Sequence, residues 1–169
     1  AATLIDSQQS GSNDCRASIY KYLAPSSGSN SVVVNHSGGA ELCCILTVTQ
    51  LTGVNQTTPN GTAAKGTNTT GAPSVNVTSA AGEIVFDCLA GYGGAHTVGG
   101  GQTTDHTYLN DSIVDFGEGD SHEPGAASVT MSWNDILDTW SLCGVAIKPK
   151  PVNWPGFTLA CALMSVVIA

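Results

Sequence analysis

Gly156-Phe-Thr-Leu-Ala-Cys-Ala-Leu-Met-Ser-Val-Val-Ile-Ala169 is an uncharged apolar ribbon. It follows Lys148-Pro-Lys-Pro-Val-Asn-Trp-Pro155, in which the prolines at 149, 151 and 155 fix φ and withhold donors. Those eight residues predict a stiff extended spacer reaching roughly 25 Å at polyproline spacing. As a helix the ribbon is too short to cross a bilayer. Thirteen helical residues rise about 20 Å, against a hydrocarbon core of about 30 Å, so no membrane span is expected. As a strand it places Phe157, Leu159, Cys161, Leu163 and Val167 on one face. Thr158, Ala160, Ala162, Met164, Val166 and Ile168 fall on the other, so the strand calls for cover on both sides. Two destinations stay open. The ribbon is either the last core strand of its own domain or a strand inserted into a neighbouring copy.

The rest of the chain reads as one β-rich domain over 1–150, with 151–169 as strut and apolar strand. Charged residues are 11% of the 169, and 20 glycines stand among many Ser, Thr and Asn. This composition suits a secreted or cell-surface all-β protein. Net charge is −8, and the five basic residues cannot build a basic patch, so nucleic acid is not expected as a partner.

Cys15, Cys43, Cys44, Cys88, Cys143 and Cys161 include no Cys-x-x-Cys pair, which argues against a zinc or redox motif. Their even number in such a composition predicts disulfides, although six cysteines allow 15 connectivities. Asn-x-Ser/Thr sequons at Asn35, Asn55, Asn60, Asn68, Asn76 and Asn110 are candidate glycosylation sites. Ala1-Ala-Thr3 reads as a mature end left by removal of a signal.

Helical periodicity is almost absent; a five-residue piece at Asn134–Asp138 is the one short candidate, and a turn fits it equally. Strand patterns recur at Thr3–Ile5, Ala17–Leu23, Ser31–Asn35, Leu42–Gln50, Ser74–Thr78, Glu83–Ala90, Ala127–Trp133 and Thr139–Lys148. Weaker ones lie within 103–116, and Thr52–Gly71 reads as a long surface loop. With the tail this gives about nine to eleven strands in an antiparallel, jelly-roll-like β-sandwich.

LTGVNQTTPNGTA (51–63), PSVNVTSAAGEIVFDCLAGYGG (73–94) and GAASVTMSWNDILDTWSLCGVAIKPK (125–150) occur in order, after ASIYKYLAPSSGSNSVVVNHSGG (17–39). Together they resemble a prokaryotic β-sandwich module of secreted, cell-surface and phage-fibre proteins, over about residues 15–150. The resemblance implies a mostly non-catalytic fold whose members open with an apolar strand. On that resemblance the opening strand is expected to be missing here, with an extra apolar strand at the other end. A sandwich lacking a strand exposes unpaired backbone beside an apolar groove, and a strand from a neighbour repairs both, the logic of donor-strand complementation.

Other chemistry has weaker sequence support. Asp111, Asp115, Glu118 and Asp120 lie in an acidic stretch whose hard oxygen ligands would take Ca²⁺, but the spacing is not that of an EF-hand. Glu118 and Asp120 could also supply the carboxylate pair of a glycosidase, against solvated loop charge as the plainer reading. Ser-His-Asp chemistry lacks a Gly-x-Ser-x-Gly elbow, and the four histidines fall in Gly/Ser-rich turns where exposure is expected. Trp133 and Trp140 read as core anchors rather than a sugar-stacking platform. The expectation is therefore a non-catalytic subunit of an extracellular filament, a homopolymer partnered by copies of itself through the tail. The alternative is a monomeric carbohydrate-binding or adhesive β-sandwich, partnered by glycans, with the tail folded in cis.

Overall fold

A computed structural model describes the chain except at positions 12–13, 36–42, 94–95, 111–114, 135–137, 152–159 and 169. Side chains at 110, 160–162, 167 and 168 are also outside the description. Among the described residues the fold is all-β, an antiparallel β-sandwich of eleven strands with no helix. Among the described residues no helix is long and apolar enough to cross a membrane.

One sheet has four strands. β1 (Thr3–Gln9) is at one edge, β2 (Arg16–Leu23) and β11 (Ala160–Ile168) are in the middle, and β3 (Cys44–Thr52) is at the other edge. The second sheet has five strands in the order β4 (Ala64–Asn68), β10 (Thr139–Ile147), β6 (Ile84–Tyr92), β8 (Phe116–Pro124), β7 (Thr103–Asn110). β5 (Ser74–Thr78) and β9 (Ser128–Ser132) pair as a separate ribbon.

The five-stranded sheet is covered on both faces. On one side Ile19, Leu163, Phe86, Cys88, Phe116, Cys143 and Val145 form the core shared with the four-stranded sheet. On the other, Val75 and Val77 of β5 and Val129 and Met131 of β9 pack with Leu89, Leu142, Trp133 and Trp140. This double cover explains why β10 reads as an almost unbroken apolar run and is buried at every position. It also buries β8, whose sequence Phe-Gly-Glu-Gly-Asp-Ser-His-Glu-Pro is not apolar. Gly119 makes this possible: a Cβ there would collide with the Trp133 ring.

Three expectations need correction. Ser31–Asn35 forms no strand; residues 31–35 are irregular and exposed. Thr52–Gly71 is not one long loop, because Ala64–Asn68 joins the five-stranded sheet beside β10. A run of Ala, Lys, Gly, Thr and Asn carries no strand signal of its own, and its place comes from pairing with β10. Cys15, Cys43, Cys88 and Cys143 are free thiols and Cys44 is an exposed thiol, so no disulfide joins any two described cysteines. The side chain of Cys161 lies outside the described residues, as does most of the helical candidate 134–138.

Candidate functional site

β11 occupies the slot between β2 and β3, in the same sheet as β1 of its own chain. It pairs with β2 from Cys161↔Leu23 to Ile168↔Arg16, and with β3 from Ala160↔Thr52 to Ile168↔Cys44. Both hydrogen-bonding edges of the strand are therefore used along its length. Inward, Leu163 is buried in the shared core. Outward, Met164 and Val166 are buried as well, and with Leu46 and Tyr20 they face Val32, Val33 and Val34 across a cavity of about 470 Å³. The strand has the two-sided cover that its composition calls for. Of the other candidate tail residues, Phe157 and Leu159 lie outside the described residues. Cys161 and Val167 are placed by register only.

The second constellation is a set of buried carboxyls on β6 and β8. Glu118 and Asp120, 1% and 4% exposed, point into the gap between the two sheets. Thr47 Oγ1 of β3 donates to Asp120 Oδ2, and Ser165 of β11 is hydrogen-bonded to the same carboxyl. His106 Nδ1 lies 2.8 Å from Glu118 Oε2. Burial, and then the charge of Asp120, push Glu118 up to about 9. Burial raises Asp120 as well, against the hydrogen bonds from Thr47 and Ser165. Glu118 Oε1 and Asp120 Oδ1 find no fixed donor, while the two carboxyls lie within hydrogen-bonding reach of each other. A proton held by one supplies the donor that the other lacks.

Asp87 lies on the opposite face of the five-stranded sheet, in the β5–β9 layer. Its Oδ1 accepts from Ser121 N at 2.9 Å and Ser121 Oγ at 2.6 Å, and its Oδ2 from Trp133 Nε1 at 2.8 Å. Burial still raises it to about 7, because these donors only partly replace lost hydration. His96, expected to be exposed, is instead buried edge-on to Trp133, with ring centroids 6.2 Å apart.

Of the proposed Ca²⁺ ligands only Glu118 and Asp120 are brought together among the described residues. Asp115 is exposed with a left-handed φ of 48° just before β8, Glu118 and Asp120 face the interior, and Asp111 lies outside the described residues. Among the described residues no three His, Cys, Asp or Glu side chains are placed to hold a metal. The pair's hold on a proton also opposes the doubly ionised state that a hard cation requires.

Of the sequons, Asn35, Asn68 and Asn76 are exposed. Asn55 is half-buried and accepts from the amides of Thr57 and Thr58, a turn built by the side chain. Asn60 is half-buried and accepts from Lys21 Nζ at 2.6 Å. The side chain of Asn110 is outside the described residues.

The buried thiols are chemically quiet. Burial raises Cys88 well above its ordinary value and pushes Cys143 up to about 12, so neither is a ready thiolate. Comparison with protein-family models, curated proteins and solved structures finds no match to this chain.

Proposed function

We propose that this chain is a structural subunit of an extracellular filament, joined to its neighbours by the strand 160–168. The observation that carries this reading is the position of β11. It lies in the middle of the four-stranded sheet with both edges paired, and it connects to β10 of the other sheet through residues 148–159. Removing it would leave β2 and β3 with unpaired edges around an apolar slot. The same slot accepts the same strand from another copy with identical pairing, so exchange gives up no contact within the sheet. Its balance is set by concentration and by the reach of the connecting segment. A head-to-tail exchange that does not close on itself grows into a fibre. Low charge and the exposed sequons Asn35, Asn68 and Asn76 support an extracellular location. The reading is non-catalytic: Glu118 and Asp120 are sealed between the sheets, out of reach of a polysaccharide.

The pairing of β11 with β2 and β3 of its own chain favours a second reading, a monomeric adhesive or carbohydrate-binding module. Negative-stain images of the native protein separate the two. Long regular fibres that vanish with Leu163→Asp support exchange; dispersed particles at high concentration oppose it.

A further inference from the structure

Glu118 and Asp120 stand where three strands of one sheet meet two strands of the other. Asp120 on β8 is hydrogen-bonded to Thr47 on β3 and to Ser165 on β11, the two strands that pair most extensively at the slot. Glu118 is bonded to His106 on β7. Other titratable groups around the pair are the thiols of Cys88 from β6 and, behind it, Cys143 of β10; His122, on the same face of β8 and 2.7 Å from Asp105 of β7; and Asp87, across the sheet on β6 but within reach of the charge of Asp120; β2 presents Ala17 and Ile19. We propose that the Glu118–Asp120 pair is a proton-operated latch. With a proton shared between the carboxyls it holds β3 and β11 against β8, and on losing that proton it loosens the sandwich where β11 is seated.

The latch follows from the chemistry of the gap. With one proton present, the pair can satisfy its own unpartnered oxygens and still accept from Thr47 and Ser165. With none, two adjacent negative charges share an apolar space, and the cheapest relief is to admit water by moving β3 and β11 away. His106 provides the route for the proton, since its side chain is half exposed while Nδ1 touches buried Glu118. The direction is fixed by linkage. Folding raises Glu118 from 4.5 to about 9, so the fold holds more protons than the unfolded chain throughout that interval. Stability from the pair is complete in acid, below about 4.5, and is lost as pH rises toward about 9. On the strand-exchange reading, rising pH would free β11 to leave its own slot and enter another.

Amide hydrogen exchange on the full-length chain, corrected for intrinsic exchange rates, tests this between pH 5 and pH 8. The opening constant of amides in β11 and β3 should rise at least about tenfold, since one group held from titrating contributes up to about tenfold per pH unit. The Glu118→Gln/Asp120→Asn double variant keeps the shape without the charge and should show a much flatter profile. Protection that is constant or increases with pH in the wild-type chain overturns the latch, as does an equal rise in the double variant. Should the variant fail to fold, Glu118 and Asp120 are read in an Asp87→Asn background, which removes the other buried carboxyl that loses its proton as pH climbs through 7; a flat profile there overturns the latch. Micrographs at both pH values keep the two ideas apart. Absence of fibres at either pH, with pH-dependent opening, contradicts exchange and supports the latch; fibres with pH-independent opening overturn the latch alone.

Discussion

Asp120 of β8 and Thr47 of β3 are hydrogen-bonded to each other across the gap between the two sheets. With the Ser165–Asp120 bond, this polar link fixes how the sheets lie on one another, since sliding either one leaves a buried acceptor less well served. Thr47→Val keeps the shape and removes the donor. It should cost about 1–3 kcal/mol in urea unfolding. The loss should be larger at pH 8 than at pH 5, because the bond favours the ionised form of Asp120. Equal stability of variant and wild type at both pH values would contradict this account of the link.

Asp87 makes a separate pH prediction on the other face of the same sheet. Its value rises from 3.8 to about 7 on folding, so its contribution is full below about pH 4 and is lost as pH climbs through 7. Each unit of that shift corresponds to about 1.4 kcal/mol. Trp133 donates to Asp87, so indole fluorescence during urea unfolding is a local reporter. Asp87→Asn should lose less stability than wild type between pH 5 and pH 8. A variant that loses as much would show that Asp87 titrates normally.

Gly119 lies under the Trp133 ring, and an added methyl would collide with it. Gly119→Ala should destabilise by about 2 kcal/mol, as overpacking does when a ring cannot move aside. A thermal unfolding midpoint at the wild-type value would mean that the indole has more room than its burial implies.

How far the sequence revealed this fold varies by strand. β5 falls at Ser74–Thr78 as its alternation predicts, and β10 is the apolar run before the prolines. β8 was hidden because burial on both faces normally shows as hydrophobicity, whereas Gly117 and Gly119 are buried through small size and Glu118 and Asp120 through the hydrogen bonds that they make with His106, Thr47 and each other. Reading Glu118-Gly-Asp120 as loop charge or metal ligand followed from composition; only the register with β6 and β7 places it inside. The two-sided cover of the tail was legible from its apolar faces, but no feature of the tail names β2 and β3 as its partners.

The cysteines give a direct chemical check. Cys44 is exposed, whereas Cys15, Cys88 and Cys143 are buried with thiols raised by that burial. A thiol reagent at neutral pH should modify Cys44 within minutes and should reach Cys15, Cys88 and Cys143 only on unfolding. Rapid labelling of Cys88 in the folded protein would contradict the packing described, and finding it in a disulfide would contradict the free thiol.

Strand exchange is most directly tested by asking whose β11 fills a given slot. A tagged chain ending at Pro155 has the slot and no strand to fill it. Refolded with untagged full-length chain, it should pull that chain down, and Leu163→Asp in the full-length partner should abolish capture by placing a charge in the shared core. Capture by the intact strand and none by the variant is the result the account predicts. Recovery of the tagged chain alone, beside monomers that keep their own β11, would contradict it.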